Sequence, residues 1–415
     1  MIKKTDKLYS ILGLNRSNNS YNMYDPSKKA LFHKENFSSF LKGNYFDVQP
    51  VCVEIVPSLD CNFNCPKCTY VQNKSKEKDK GKKRLMSQEV FDSIIGGLKG
   101  SYIKSLIFTG GGEPLKNPLY LEFMKQAKES GFEIGLYTNG ALFKEGDFEK
   151  LLEIKPVFIR VSLNAGTSIT HGLIYGYNGK NPIIFNNIKR NIVDLGRTKT
   201  KLNVPTNIGI GYIINEKNYE ELDEISDVLL QLYEDSEGGI DYVAFRPEVY
   251  YFDDDLNVVT EQPNSEIFAE IPDLLEDKIA NKVESSGMRV LINKEGFNNL
   301  SLPYQNIPNI SHPWSASFDY DGRMYITSEH NGMEGFCIGD IKNTSLKDVW
   351  YGNKRKELMM KMDSGEIKTP PYFKLKSLNN LLLNIRDLGI FSEKEANEFY
   401  KSIDIDNKPP HVNFI

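Results

Sequence analysis

VCVEIVPSLDCNFNCPKC, residues 51–68, joins a short apolar segment to a loop that holds three of the chain's five cysteines. Cys61, Cys65 and Cys68 have C-x3-C-x2-C spacing, and random placement of the cysteines predicts on the order of 10⁻³ such matches. The segment Val51–Pro57 is typical of a buried β-strand. The spacing therefore indicates a soft metal centre directly after a strand, and three thiolates suit an iron–sulfur cluster.

The number of cysteines bears on what kind of metal centre this is. Three thiolates are one ligand short of a cluster held by four cysteines, and an iron without a protein thiolate is open to an exogenous ligand. A structural zinc site is the alternative, but Cys52 lies in the predicted strand, Cys337 is remote and the five histidines are scattered. A disulfide framework conflicts with an odd, sparse cysteine count and no recognisable signal peptide. We therefore expect a reactive cluster in a cytoplasmic protein.

The composition argues against nucleic acid and membrane as partners. Hydrophobic residues make up 40% and charged residues 26% of the 415 residues, and no run of about 18 apolar residues could cross a bilayer. The formal net charge of −5 is unlike a broadly basic nucleic-acid surface. The one basic run, residues 74–84, contains two acidic residues and no aromatic residue, which predicts a solvated loop.

A strand-then-helix pattern repeats from about residue 51 to residue 250. The predicted strands are Val51–Pro57, Ser105–Thr109, Glu133–Tyr137, Val157–Leu163, Thr206–Ile214 and Tyr242–Phe245. The predicted helices are one that Ser87 caps and that reaches Leu98, then Pro118–Glu129, Asp147–Glu153, Asn186–Leu195 and Tyr219–Tyr233. Six strands joined by right-handed crossovers predict an α/β fold whose parallel sheet closes into a partial (β/α)6 barrel.

Three regions follow from this pattern. Residues 1–50 are polar and weakly periodic, which predicts an irregular or partly helical N-terminal extension. Residues 51–262 form the predicted partial barrel. Residues 263–415 form a predicted α+β C-terminal region.

Polar and glycine-rich motifs follow the predicted strands. Gly110–Pro114, Thr138–Gly140 and the pair Ser162 and Asn164 stand just after strands or at their ends, as the cysteine loop does. Each alone is typical of a turn, but the carboxyl ends of parallel barrel strands share one rim, which carries the chemistry in barrels of this type. Strand alternation also places Arg160 on the face of Ser162. The motifs together therefore indicate one site.

With these motifs in order, residues 50–250 resemble the radical S-adenosylmethionine superfamily. The resemblance implies that Cys61, Cys65 and Cys68 bind one [4Fe–4S] cluster, whose fourth iron chelates the amino and carboxylate groups of S-adenosylmethionine. The positions that match cofactor contacts of the family are Gly111, Gly112, Glu113, Asn139, Arg160, Ser162, Asn164, Ile210 and Phe245.

The resemblance assigns these positions different contacts. The segment Gly111–Pro114 matches the GGEP motif, whose backbone meets the methionine amino group, and glycine permits such close approach. Ser162 and Asn164 match ribose and carboxylate contacts, for which local hydrogen bonding to the backbone is the alternative. Ile210 with Gly211, and Phe245 with Arg246, lie where the family contacts adenine, with plain core packing of Ile210 and Phe245 as the alternative.

Three further positions complete the comparison with the family. Arg160 is the candidate for the carboxylate, since no arginine follows His171 as in the family, and Asn139 is a further site candidate. Lys67 stands where the family often has an aromatic residue that contacts adenine, so this chain departs from the pattern there.

The segment Pro313–Leu358 resembles part of the SPASM or twitch extension of these enzymes, including a hairpin with an Asp-Gly turn over Phe318–Tyr325. Such extensions usually hold further clusters, but only Cys337 is available here, so we expect a scaffold and a wall for the substrate. Cys337 is the one candidate catalytic residue, as a hydrogen donor to a substrate radical. The alternative is a small buried side chain.

The resemblance implies a radical reaction. One electron from a donor such as a flavodoxin or ferredoxin enters the cluster, and S-adenosylmethionine is cleaved to a 5′-deoxyadenosyl radical that abstracts hydrogen from the substrate. We expect a small molecule such as a sugar, nucleotide or amino-acid derivative, since residues 1–50 look too short for an added peptide-binding domain. Modification of a ribosomal peptide, such as epimerisation, and a non-catalytic metal-binding scaffold are the alternatives.

Overall fold

One mixed sheet organises the chain, whose computed structural model describes residues 4–12, 26–68, 84–253, 255, 257–262, 265–403, 408 and 411–415. Strands β1 to β10 are Cys52–Ile55, Ser105–Phe108, Glu133–Thr138, Phe158–Ser162, Asn207–Ile214, Tyr242–Pro247, Arg289–Ile292, Ser315–Phe318, Arg323–Tyr325 and Cys337–Asp340. Their order across the sheet is β10-β9-β8-β1-β2-β3-β4-β5-β6-β7. The consecutive strands β1 to β6 confirm the predicted α/β fold with a partial barrel.

The C-terminal region extends this sheet at both edges. β8 pairs in parallel with β1, and β7 pairs in parallel with β6. β8 and β9 form the antiparallel hairpin predicted around the Asp-Gly turn, and β10 pairs antiparallel with β9. Four strands from beyond residue 262 therefore complete the sheet, although the boundary drawn there remains a prediction.

Helices pack on the outer face of the sheet, and further helices lie in the N- and C-terminal parts of the chain. The longer α-helices are Lys4–Ile11, Lys34–Leu41, Gln88–Leu98, Tyr120–Glu129, Asp147–Glu153, Ser168–Tyr175, Ile183–Leu202, Leu222–Asp235, Lys294–Ser301, Asn353–Asp363, Lys376–Arg386 and Glu393–Lys401. Shorter ones are Pro26–Lys29, Ser265–Phe268, Ile271–Leu275, Asn281–Glu284 and Leu346–Trp350. The Ser87 hydroxyl accepts a hydrogen bond from the amide of Val90 at 3.2 Å, which confirms the predicted cap.

A second core joins the N-terminal helices to the C-terminal ones. Phe37 of the helix Lys34–Leu41 and Phe399 of the helix Glu393–Lys401 have ring centroids 6.2 Å apart, and both side chains are fully buried. Trp314, just before β8, is buried in the same cluster. The described part of the N-terminal extension is thus packed against the C-terminal region through an apolar cluster.

Residues 411–415, here called the plug, fill the amino-terminal end of the barrel. Phe414 contacts Phe158 at the start of β4, with ring centroids 5.0 Å apart, in an apolar cluster that includes Cys52. The Ser105 hydroxyl donates to the carbonyl of Asn413 at 2.5 Å. Because these residues begin β4, β1 and β2, the plug seals the end of the barrel away from the cysteine loop.

Two glycines make room for rings inside the barrel. A Cβ at Gly135 on β3 would lie 2.3 Å from the Phe158 ring, and a Cβ at Gly209 on β5 would lie 2.1 Å from the Tyr242 ring. Such distances are far inside van der Waals contact. The missing side chains on β3 and β5 therefore let aromatic rings of the neighbouring strands β4 and β6 occupy the interior.

Two sequence expectations concern regions outside the barrel. The basic run of residues 74–84 lies outside the described residues except for Arg84, whose guanidinium is 3.3 Å from the carboxylate of Asp60. Within the described ranges, no helix has the length and apolar character needed to cross a bilayer.

Candidate active site

The cysteine loop follows β1 and is held by the glycine motif after β2. The amide of Gly112 donates to the carbonyl of Ser58 at 3.0 Å, and the amide of Glu113 donates to the carbonyl of Asp60 at 2.9 Å. A Cβ at Gly112 would lie 2.3 Å from the Asp60 oxygen. Glycine is therefore required here for close approach of the motif to the cysteine loop, whereas the sequence suggested approach to a ligand.

The three cysteines form a donor set that fits a cluster. Cys61, Cys65 and Cys68 are partly exposed side chains of one short loop. Among the described residues, no three His, Cys, Asp or Glu side chains converge as ligands of a single metal ion. The thiolates of a cubane bind different irons, so they need not converge on one point. These three cysteines are the residues that would hold a [4Fe–4S] cluster.

Glu113 links the turn after β2 to the turn after β3 by hydrogen bonds. Its buried carboxylate accepts hydrogen bonds from the Thr138 hydroxyl at 2.5 Å, the Asn139 amide at 2.8 Å and the Leu115 amide at 3.2 Å. Burial raises the pKa of Glu113 to about 7, against the opposing effect of these donors. The structure thus places this predicted cofactor contact between two rim loops, with Gly111 buried beside it.

Asn139 reaches from β3 to the cysteine loop. Its Nδ2 donates to the side-chain oxygen of Asn62 at 2.9 Å and lies 3.9 Å from the Sγ of Cys61. Its Oδ1 accepts a hydrogen bond from the amide of Ala141 at 3.0 Å. The structure therefore brings this candidate next to a predicted cluster ligand.

The end of β4 is tied to its neighbours by the Asn164 side chain. Its Oδ1 accepts from the amide of Ile213 at 2.8 Å, and its Nδ2 donates to the Tyr175 hydroxyl at 3.1 Å. That hydroxyl donates to the carbonyl of Ser162 at 3.1 Å. The predicted pair Ser162 and Asn164 lies at the rim, and the Asn164 amide is used for contacts within the protein.

A helix that the sequence reading missed supports the cysteine loop. Phe63 packs against Tyr175 of the helix Ser168–Tyr175, with ring centroids 4.9 Å apart, and the amide of Asn64 donates to the Tyr175 carbonyl at 3.2 Å. The signals for this helix were present in the sequence. Thr167 caps its start, and Gly176 ends it with a left-handed φ of 74°.

A cavity of about 430 Å³, here called the barrel cavity, lies inside the barrel near the rim. Its charged lining consists of Arg160, Arg246, Lys374, Glu54 and Glu329. The Lys374 ammonium donates to the Glu54 carboxylate at 3.0 Å, and the Lys374 amide donates to the Glu329 carboxylate at 2.9 Å. Cationic side chains thus outnumber carboxylates here, and residues from beyond β9 line one side of the cavity.

Phenol rings supply the rest of the cavity wall. The guanidinium of Arg160 lies 3.9 Å from the ring centroid of Tyr137, and the Tyr372 hydroxyl accepts a hydrogen bond from Asn293 at 2.7 Å. Tyr251 lines the same space. The cavity therefore combines aromatic surface with charge, as small-molecule sites do.

The two predicted adenine contacts Ile210 and Phe245 point away from this cavity. Ile210 and Phe245 are fully buried in the core between sheet and helices, on the strand faces opposite to Gly211 and Arg246. A Cβ at Gly211 would be 3.4 Å from Arg160, so the glycine face of β5 is the one that points inward. The alternation of glycine with apolar residues on β5 was the available signal.

Cys337, the candidate hydrogen donor, also lies away from the barrel cavity. It begins the edge strand β10 opposite Tyr325, and its buried thiol donates to the Gly339 carbonyl at 3.6 Å. Burial raises the pKa of the Cys337 thiol. The structure does not bring this candidate hydrogen donor to the cavity lining.

Lys67 occupies the position where the family often has an aromatic residue. Its ammonium lies 4.7 Å from the ring centroid of Tyr250, whose hydroxyl donates to Glu248 at 2.6 Å. An aromatic ring thus stands beside the cysteine loop, supplied by the segment after β6.

A larger cavity, of about 810 Å³, lies on the outside of the barrel. It is bounded by the end of the helix Gln88–Leu98 and by residues 341–347. None of the predicted site residues lines it, so its size does not make it the candidate active site.

Comparison with known proteins agrees with this geometry. Residues 55–229 match the model of the Radical SAM superfamily. A relative from Pyrococcus furiosus, the "Tungsten-containing aldehyde ferredoxin oxidoreductase cofactor-modifying protein", is 21% identical over 365 residues, which cover 83% of this chain and 88% of that protein.

Solved structures show the same fold at low sequence identity. Streptococcus suis SuiB bound to precursor peptide SuiA has a TM-score of 0.58 at 15% identity, covering 89% of this chain and 76% of that chain. Native anSMEcpe with bound AdoMet has a TM-score of 0.53 at 16% identity, covering 85% of this chain and 100% of that chain.

Proposed function

Because residues 55–229 place this chain in the radical S-adenosylmethionine superfamily, whose enzymes use a [4Fe–4S] cluster and S-adenosylmethionine, we propose that it abstracts hydrogen from a small molecule in the barrel cavity. The observation that carries this proposal is the barrel cavity itself. Its volume of about 430 Å³ falls within the range of small-molecule sites, roughly 300–1,000 Å³.

When bound, the cluster and S-adenosylmethionine supply a 5′-deoxyadenosyl radical. The protein positions the reactants and excludes water. Cys61, Cys65 and Cys68 hold the cluster, while Gly112 and Asn139 keep their loop against the rim. The reducing electron comes from a protein such as a flavodoxin or ferredoxin.

The C-terminal region supplies one side of the cavity. The loop after β9 supplies Ser328 and Glu329, and the segment before the helix Lys376–Arg386 supplies Tyr372 and Lys374. Asn293, just after β7, holds Tyr372 by a hydrogen bond. These polar side chains offer hydrogen-bond partners to a small substrate in the cavity.

A ribosomal peptide is the alternative to a small-molecule substrate. The Pyrococcus furiosus relative is named a cofactor-modifying protein, which fits a small-molecule substrate. SuiB is described with a bound precursor peptide, so radical modification of a ribosomal peptide is the second candidate. The barrel cavity, of about 430 Å³, has the volume of a small-molecule site, which favours the small molecule.

Anaerobic reconstitution tests the proposal. We expect about four irons per chain, and 5′-deoxyadenosine when dithionite and S-adenosylmethionine are added, because one group of thiolates is available for one [4Fe–4S] cluster. Replacing Cys61, Cys65 and Cys68 together by Ala should abolish both. Cys337→Ala is the matched control, and it should keep the iron and the product.

Three outcomes would contradict the proposal. About eight irons per chain, or iron that survives the triple replacement, would end the single-cluster model. Bound cofactor without cleavage under strong reductant would favour a scaffold. The substrate itself should then be sought by adding candidate metabolites and peptides and measuring which one raises the yield of 5′-deoxyadenosine.

A further inference from the structure

Two arginines in the barrel cavity point to the chemistry of its ligand. We propose that Arg160 and Arg246 bind an anionic group of the substrate, a carboxylate or a phosphate. This inference rests on the proposed function, because it treats the barrel cavity as the substrate site. It adds the chemical class of the substrate and the residues that recognise it.

The three cations of the cavity differ in their partners. Lys374 has a carboxylate partner in Glu54, at 3.0 Å. Arg160 and Arg246 line the same cavity, and within the described residues neither has an ion pair or a hydrogen bond with a carboxylate. Arg160 lies against the face of Tyr137, which leaves its N–H groups pointing away from that ring. The two guanidinium groups are therefore free to bind an anion.

Two like charges that line one cavity without a counter-ion repel each other. The Arg246 side chain is exposed to the cavity, and the nearby Arg160 charge contributes to a lowered pKa of Arg246. Arginine nevertheless remains charged in proteins, so the two groups repel each other until an anion lies between them. Guanidinium groups match carboxylate and phosphate oxygens with paired hydrogen bonds, which makes these the favoured ligands.

The carboxylates of the cavity do not fill this role. Glu54 is paired with Lys374, and Glu329 accepts the Lys374 backbone amide. Burial raises the pKa of Glu329, and the Glu54 charge adds to that rise. The acidic groups are thus gathered around Lys374, and the arginines are left for the ligand.

The anion is distinct from the carboxylate of S-adenosylmethionine. Arg160 precedes Ser162 by two residues on the same face of β4, which puts it about 7 Å deeper in the barrel than the rim. The residues predicted to contact the cluster and S-adenosylmethionine at the rim do not line the barrel cavity. These are Cys61, Cys65, Cys68, Asn139, Ser162 and Asn164. Arg160 therefore faces the space below the cofactor loops, and Arg246 lines the same cavity from near the end of β6.

Calorimetric titration of anions into the reconstituted enzyme, saturated with S-adenosylmethionine and at constant ionic strength, tests this inference. The probes are inorganic phosphate, succinate and neutral succinamide. We expect one site per chain for at least one anion and none for succinamide, and the preferred anion identifies phosphate or carboxylate as the recognised group. Arg246→Gln and Arg160→Gln should each weaken binding about 10- to 100-fold, because each removes charge-assisted hydrogen bonds.

Arg190→Gln is the matched control, since Arg190 is exposed on the helix Ile183–Leu202 and should leave anion binding unchanged. If the Gln variants fail to keep the cluster, the wild-type enzyme can be labelled with phenylglyoxal and analysed by mass spectrometry. Phosphate or succinate should then protect Arg160 and Arg246 from labelling.

Several results would overturn the inference. These are binding of neither anion, affinities that both arginine replacements leave unchanged, unprotected arginines, or displacement of S-adenosylmethionine by the anion. The same preparations are assayed for 5′-deoxyadenosine. Wild-type enzyme that forms it but binds no anion overturns only the anion site. Wild-type enzyme that binds phosphate at the arginines but never cleaves S-adenosylmethionine overturns the proposed function.

Discussion

The two ends of the barrel interior are opposites, although they are two residues apart on β4. At the amino-terminal end, Phe158 packs on Phe414 of the plug in an apolar cluster. At the carboxyl-terminal end, Arg160 lines a charged cavity below the cysteine loop. The difference teaches that one face of one strand packs in an apolar cluster at its start and lines the proposed substrate cavity further along.

Polar groups at the two ends of the barrel differ in whether they have partners within the protein. At the plug, the Lys29 ammonium donates to the Phe414 carbonyl at 2.9 Å, and the His33 ring contacts the Val412 carbonyl at 3.1 Å. In the cavity, Arg160 and Arg246 have no carboxylate partner among the described residues. Replacements at the plug should therefore reduce stability, and replacements at the rim should reduce activity.

The largest effect on stability is expected from Phe414→Ala. Loss of this ring leaves a cavity against Phe158, and such replacements cost about 3–5 kcal/mol. The free energy of unfolding should fall by that amount in urea, while the folded fraction still forms 5′-deoxyadenosine. Met360→Ala, at a side chain 56% exposed, is the control and should change stability by less than about 0.5 kcal/mol. A loss below about 1 kcal/mol for Phe414→Ala would remove the distinction between the two ends.

At the rim, Gly112→Ala should reduce the formation of 5′-deoxyadenosine. The new Cβ would meet the Asp60 carbonyl at 2.3 Å and displace the cysteine loop, and a misplacement of about 1 Å can cost about 100-fold in rate. The measurement is 5′-deoxyadenosine formed per iron. Gly96→Ala is the matched control, because a Cβ there meets nothing within 4 Å in its helix. Equal activity of both variants would show that the close approach at the rim has no function.

The two ends should also differ in their response to pH. Burial lowers the pKa of His33 and of His411 from 6.5 to about 4, so the plug gains stability as the pH rises from 4 to 6.5. Glu113 has a pKa of about 7, raised by burial from 4.5, so the folded state holds a proton that the unfolded state loses. This stabilisation is complete below pH 4.5 and is lost as the pH rises through 7.

Glu113→Gln keeps an oxygen that can accept hydrogen bonds but cannot titrate. Relative to this variant, the free energy of unfolding of the wild type should fall by about 2 kcal/mol between pH 5 and 8, because the buried histidines contribute equally to both proteins. Urea unfolding at several pH values compares the two proteins. If the free energies of unfolding of the two proteins change with pH in the same way, Glu113 does not cause a pH dependence of stability.

The smallest effect is expected for Cys337→Ala. Its thiol is buried in edge strand β10, outside the lining of the barrel cavity. We expect turnover of the true substrate in deuterated water to change less than about twofold, with the same deuterium incorporated at the reacting carbon. Loss of product while 5′-deoxyadenosine still forms would restore Cys337 as the hydrogen donor.

Much of the barrel could be predicted because its signals are local. The helix Asp147–Glu153 has the predicted bounds, and each of β1 to β6 overlaps its predicted strand. Strand alternation correctly placed Arg160 and Ser162 on one face, because side chains in a strand repeat every two residues. The clustering of loops followed from parallel strands, whose carboxyl ends share an edge.

The features that depend on long-range packing could not be predicted from the sequence. Nothing in the sequence near Phe414 indicates that it fills the start of the barrel, since its partner Phe158 is far away along the chain. Ile210 and Phe245 were aligned with family positions, but the side-chain face is set by which neighbours are glycine. That face becomes evident when Gly209 is considered together with the Tyr242 ring, and Gly211 with the Arg160 side chain, that lie over them.

The pairing of β1 with β8 has a consequence for synthesis. β1 ends at Ile55, whereas its partner β8 ends at Phe318, about 260 residues later. At about 5–20 residues per second, the ribosome needs roughly 15–50 s to produce the missing neighbour. During that time one edge of the strand next to the cysteine loop lacks its final partner, and open edges invite aggregation. A nascent chain of this protein should therefore depend on chaperones until residue 318 has left the ribosome.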